Sequence, residues 1–400
     1  MRTFTAQPPV APKHAFLSQS HQPFFLFGVA WAIVSMLLFI LSHKGVVSLT
    51  ISEIEFHVYG LTFIVLIQFF HGFLFTTFPR FCMSTAIPKE RYAPIVWLYQ
   101  MFALLFFVGA LTSPWVVLMA MAGIFFAHSM AFKALLSTYQ TGKSPQKSDP
   151  FWMLIAHAIG IAMHAAMVVA YGMELLDLSV RLVSLISPVI VNLFLIFLTF
   201  IAAQRMIPFF SHSMEIRSTH FVARVFVLLV VKTLLNLLEI PLAEAAVSLL
   251  LAAYLLNEFL RWRLPLFRSA AILWILYLAL FWFPLALFMG ALTQVSEVVA
   301  YRSWLFAETH LLVLGFITTV LIGFGTRVTL GHSGQTPHAD KLTIVLFVWT
   351  QVVVLLRFGL SADTAFGGMH GWLFDAAGAG WIVLFGVWAL RYGKILALGR

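Results

Sequence analysis

Six histidines, His57, His71, His128, His157, His164 and His310, fall inside long apolar runs of a 400-residue chain that is only 10% charged. A polar ring at membrane depth is costly unless it is paired, hydrated or ligated, so each is a candidate for chemistry. His57 and His71 stand fourteen residues apart, close to four helical turns, and His157 and His164 seven apart, so each pair is expected on one face of its helix. Counting the helical rise sorts the six by depth. His57, His164 and His310 fall in the outer half of the bilayer. His71 and His157 fall in the inner half, and His128 near the inner surface. Two imidazoles from different helices at one depth can clamp a heme iron from both sides. Three that converge can hold copper, which imidazole suits. A hydrogen bond to a neighbouring helix or to buried water is the plain alternative for any one of them.

Other chemistry is sparse. Glu55 and Glu308 each precede a candidate histidine by two residues, and either orient it or cap a helix end. Lys232, Asn236 and Glu239 share a helical face and suggest a proton path or a polar seam. Arg357, near an outer helix end, can neutralise a heme propionate or snorkel to the interface. The stretch "GFGTRVTLGHSG", residues 323–334, leaves an apolar helix on Arg327, turns over Gly331 and Gly334, and presents His332. Arg327 there can pair with a carboxylate or a propionate, and His212 and His220 are expected on the same side as His332. Cys82 is the single cysteine, which excludes an intrachain disulfide and any Cys-rich metal cluster. No phosphate-binding glycine loop and no nucleophile–base signature is present.

The elements that must position these residues are membrane spans. The chain is 62% hydrophobic with a mean hydropathy of +0.97, outside the range of soluble domains. Apolar segments predict an all-α, polytopic helical bundle of twelve spans, at 24–42, 56–78, 93–111, 115–136, 151–172, 182–203, 220–238, 243–260, 269–292, 304–325, 342–360 and 373–391. Ser113-Pro114 and Pro241 mark the two narrowest divisions. Residues 1–23 read as a polar cytoplasmic tail and 24–400 as one transmembrane domain. With both termini inside, 19 of the 24 basic residues fall on the inner side. Lys44, Arg181, Arg302 and Arg357 lie outside, and Lys232 lies within a span. That asymmetry obeys the positive-inside rule and predicts N-in, C-in. It also assigns the net charge of +9 to anionic lipid, with no nucleic acid as partner.

Several stretches together resemble the NnrS family of bacterial heme- and copper-containing membrane proteins. "FGTRVTLGHSGQ" is similar to that family's Thr-Arg-x-x-Leu-Gly-His-(Thr/Ser)-Gly signature after the tenth span. "QRMIPFFSH", residues 204–212, resembles its Arg-x-Ile-Pro-x-Phe turn. "QPFFLFG", residues 22–28, resembles its Arg-Pro-Phe-Phe entry, with Gln22 in place of arginine. "EFHVYGLTF", residues 55–63, is similar to its His-x-His-Glu-Met opening of the second span. Only His57 is retained there; Glu55, Val58 and Tyr59 stand where the family has His, Glu and Met. "WRLPLF" and "LWILYLALFWFPLAL" resemble its ninth-span region, so the likeness runs in order along nearly the whole chain.

The resemblance implies a b-type heme and copper, a bacterial inner-membrane location, and a part in relieving nitric oxide or nitrosative stress under low oxygen. Under it, His57 and His310 are axial to heme, Arg327 and His332 are cofactor-contacting, and His164, His71 and His157 are further metal candidates. The second- and tenth-span histidines also resemble the low-spin heme ligands of heme–copper oxidases. The chain nevertheless has no adjacent His-His pair in span seven and no His-x-His in span ten. Two other classes remain open at this point: a twelve-span secondary transporter with histidine proton relays, and a non-catalytic heme sensor or assembly factor. Neither the electron donor nor turnover is legible.

Overall fold

The computed structural model describes residues 15–178, 182–211, 217–266 and 268–399. Among them every regular element is helical, and eleven helices are long and apolar enough to cross a membrane. In chain order these are α1 (His21–His43), α2 (Glu53–Phe81), α3 (Lys89–Thr112), α4 (Pro114–Thr141), α5 (Ser148–Glu174), α6 (Ser184–Phe210), α8 (Pro241–Arg261), α9 (Ala271–Ala300), α10 (Ala307–His332), α11 (Lys341–Ala365) and α12 (Trp372–Leu398). Between α6 and α8 lies α7 (Phe221–Leu237), of 17 residues. All twelve expected spans thus fall on helices, and the chain is a multi-pass membrane bundle.

Local signals set the boundaries. Pro114 and Pro241 each open a helix, where the missing N–H costs nothing. Ser52 caps α2 by accepting from the Glu55 N–H, while its own hydroxyl donates to the Glu55 carboxylate at 2.7 Å. Glu55 is therefore a cap. Asp340 caps α11, accepting from the Thr343 N–H and hydroxyl. These hydrogen bonds, with Arg391 beside it, hold the Asp340 carboxyl below the usual carboxylate range. Several helices outrun their expected spans; α4 continues to Thr141, into what reads as a loop in the sequence.

Contacts between ends show antiparallel neighbours: α1 begins where α10 ends, α5 where α6 ends and α11 where α12 ends. At one end, the Gln19 amide donates to the His332 carbonyl, Arg205 pairs with Asp149 and Arg391 with Asp340. At the other, Lys44 pairs with Asp375 and Arg302 donates to the Ala365 carbonyl.

Three helices form the inside of the bundle. In their most apolar stretches 83% of α2, 72% of α6 and 83% of α10 is buried, against 33–56% for the other long spans. Each is the second of a set of four. Each also contains a π-helical segment, at Gly60–Leu66, Ile190–Ile196 and Leu311–Thr318. A π turn closes five residues back rather than four and so inserts a residue into the register. Side chains hold carbonyls along two of these stretches. Gln68 donates to Ile64 O at 2.9 Å and Thr318 to Val313 O at 2.9 Å.

Candidate metal centre

Four imidazoles from three helices form a line through the bundle interior. His71 comes from α2, His128 from α4, and His157 and His164 from α5; none is exposed to solvent. His71 Nε2 lies 3.2 Å from His157 Nε2, and His128 Nδ1 lies 3.1 Å from His164 Nδ1. His128 joins the two pairs, with ring centroids 5.6 Å from His71 and 5.0 Å from His157. His71, His128 and His157 each bring a ligating nitrogen within 4.8 Å of the other two.

The elements explain the convergence. His128 is the fifteenth of the 28 residues of α4, so it sits mid-helix. The apolar run ends at residue 136, which puts His128 near the inner surface by sequence, but the helix continues to Thr141. His157 and His164 do share a face of α5, seven residues apart. Gly160 between them has no side chain, and a Cβ there would meet the Phe194 ring at 2.6 Å. That gap admits Phe194, from the π segment of α6, to within 5.7 Å of His157 and 6.0 Å of His128, ring to ring. Phe63 stacks on His164 at 3.9 Å and Phe24, Phe75 and Tyr99 surround His71. The result is an aromatic shell around four nitrogen-rich rings.

Three ring nitrogens here, His71 Nδ1, His128 Nε2 and His157 Nδ1, are buried without a hydrogen-bond partner. Buried polar atoms are rarely left so; an ion held by the Nε2 atoms of His71 and His157 would account for His128 Nε2, while the two Nδ1 atoms lie on the far side of their rings. Two nitrogens bound to one ion at about 2.0–2.1 Å stand about 3.3 Å apart at tetrahedral angles. The 3.2 Å edge between His71 and His157 fits that spacing. Among the described residues no charged side chain is hydrogen-bonded to the four rings. An all-imidazole set of this kind suits copper or zinc and disfavours hard, oxygen-seeking cations.

The outer candidates form a separate pair. His57 of α2 and His310 of α10 have ring centroids 6.5 Å apart, with 31° between planes. That separation leaves room for one metal ion between the two rings. His310 Nδ1 donates to the Phe306 carbonyl at 2.9 Å, which leaves its Nε2 as the bare lone pair. Arg357 is close enough to act electrostatically on both rings, and donates to Leu305 O and Ser361 Oγ.

His164 belongs with the histidine line and not with His57 and His310. Nor do His57 and His71 share neighbours: His57 packs on Phe39 and faces α10, while His71 faces α3, α4 and α5. The π segment between them is the reason, because each inserted residue turns the following register by about 100°.

His332 lies 22 residues beyond His310 on the same helix, about 33 Å along the axis, and packs on His21 with centroids 4.9 Å apart. Arg327 stacks over the Phe210 ring at 3.9 Å and has no carboxylate partner among the described residues. The helix continues through Gly331; Gly334 (φ +77°) supplies the left-handed residue and Gln335 N–H closes on Leu330 O. His220 is exposed in a left-handed turn before α7, and His212 lies outside the described residues.

Lys232 meets carboxylates that the sequence pattern did not supply. Its ammonium is 2.5 Å from Glu244 and 3.1 Å from Glu308, and Asn236 donates to Glu244 at 3.0 Å. Glu239 is exposed and outside this group. Asp149, buried and paired with Arg205 and Arg217, was also missed; lone carboxylates show no periodicity.

A family model described as NnrS protein matches residues 15–400. No curated protein matches the chain.

Proposed function

Since the chain belongs to the NnrS family, we propose that it is a heme- and copper-binding protein of the bacterial inner membrane that handles nitric oxide. The observation that carries this reading is the buried His71–His128–His157 group, whose ligating nitrogens all lie within 4.8 Å of one another. His71, His128 and His157 hold copper in this proposal. His57 and His310 would hold a b-type heme, and Arg357 would offset its negative charge. When bound, these groups supply redox-active metals able to take up nitric oxide.

The chain's own residues do the rest. The π segments of α2 and α10 begin within three residues of His57 and one of His310 and set the direction of each ring. The Phe306 carbonyl fixes the His310 tautomer. Neutral imidazoles leave the metal charge uncompensated; Glu55 and Glu308 each stand two residues before one of the pair, and Glu308 is already paired with Lys232. Rings such as Phe63 and Phe194 exclude bulk water from the histidine line.

The test is the reduced-minus-oxidised visible spectrum of detergent-purified protein, with metal analysis of the same sample. Heme bands that shift with nitric oxide, together with bound copper, are expected. His57→Ala and His310→Ala should abolish the heme bands and spare copper, whereas His71→Ala and His157→Ala should do the reverse. A folded, colourless and copper-free protein from cells given heme precursor would overturn the proposal.

A further inference from the structure

Beyond the three-histidine group runs a hydrogen-bonded chain of fully buried side chains. His128 Nδ1 is 3.1 Å from His164 Nδ1, His164 Nε2 is 2.9 Å from the Tyr59 hydroxyl, and that hydroxyl donates to the Met121 carbonyl at 3.3 Å. At the other end, His128 Nε2 has no partner. Each neutral imidazole carries one N–H and the phenol one O–H, so three protons serve three contacts.

Only two orders are open to them. In one, Tyr59 donates to Met121 O, His164 Nε2–H donates to Tyr59, and His128 Nδ1–H donates to His164. All three protons then have acceptors, and His128 is left with a bare lone pair on Nε2. In the other, every donor reverses: Tyr59 to His164, His164 to His128. Met121 O then loses its hydroxyl partner, and His128 Nε2–H is a buried donor facing nothing. A buried unmet donor costs about 1–3 kcal/mol, so the first order wins. Met121 anchors it because a carbonyl can only accept.

We propose that Tyr59 and His164 are positioning residues of the metal centre, which hold His128 in the tautomer that leaves its Nε2 a bare lone pair able to take an ion. This rests on the metal-binding reading above and adds to it two residues that touch the ion only through His128. Tyr59 also lies two residues past His57 on α2, so the chain ends on the helix that carries one proposed heme ligand. Partners of this kind typically alter metal affinity 10- to 100-fold when removed.

The test uses full-length protein in detergent, copper affinity by chelator competition, and pulsed EPR of the Cu(II) form to count coordinated imidazoles. His164→Leu should weaken copper binding roughly 10- to 100-fold while the imidazole count stays at the wild-type value. Tyr59→Phe should weaken it less. His164→Asn, whose side-chain oxygen can still accept from His128, should restore most of the affinity. Unchanged affinity in both His164→Leu and Tyr59→Phe would overturn the inference. So would the loss of one coordinated imidazole in His164→Leu, which would make His164 a ligand. A wild-type protein that binds no copper would instead defeat the metal-centre reading itself.

Discussion

Gly160 lies between His157 and His164 and leaves no room for a side chain. A Cβ at 2.6 Å from the Phe194 ring cannot be absorbed, because Phe194 is fully buried and packed against His128 and His157. Gly160→Ala should therefore lower stability by about 1–3 kcal/mol, read as a lower thermal unfolding midpoint in detergent. Phe194→Leu in the same background should recover part of the loss, and an unshifted midpoint in Gly160→Ala would refute the close approach. At this scale the sequence was legible where polarity is rare: the six intramembrane histidines stand out against a 62% hydrophobic chain. It was illegible where the information is a direction. Nothing in composition tells that His164 faces His128, or that Tyr59, in a run of apolar residues, holds a proton acceptor toward it. The signal available for Tyr59 was the same as for histidine, a hydrogen-bonding group at membrane depth. In the "GHSG" stretch, Gly334 and the Gln335–Leu330 bond account for the turn as a helix stop.

At the scale of elements, twelve helices follow from length and hydropathy, but the three π segments do not. Their hydrogen bonds are a tertiary outcome, made possible because α2, α6 and α10 are enclosed by other helices. This is why regular helical counting predicted a common face for His57 and His71, and why it worked for His157 and His164, whose helix is unbroken. The ion group between α7, α8 and α10 shows the same limit: Lys232 was visible as an outlier, yet its partners Glu244 and Glu308 come from other helices. Lys232→Met would leave two buried carboxylates facing each other and should cost about 3–5 kcal/mol. The triple change with Glu244→Gln and Glu308→Gln should cost less than the single one. Thermal unfolding of the two variants decides it, and a single variant as stable as wild type would remove any structural role for the group.

For the whole molecule, the distribution of basic residues predicts both termini on the cytoplasmic side, and the alternating helix directions agree with that crossing pattern. The orientation can be tested without first removing the native thiol. Cys82, just past the end of α2, is buried, and burial pushes its thiol up to about 11. At neutral pH it is therefore a poor nucleophile, since the thiolate is the reactive form. Wild-type protein in intact cells should resist a membrane-impermeant maleimide. Ser48→Cys, in an exposed loop between α1 and α2, should be labelled, and Gln146→Cys, between α4 and α5, only after the membrane is opened. Labelling of Gln146→Cys in intact cells would invert the topology. The aromatic shell has a consequence for what can arrive from either side. An ion would have to shed its hydration to pass between such rings, a penalty of many kcal/mol, whereas an uncharged diatomic gives up almost none. Such a gas also dissolves in the acyl chains around the bundle. Under the proposed function, the shell would act as a permeability filter that selects by charge before any shape is read, and the lipid would be the reservoir of the gas.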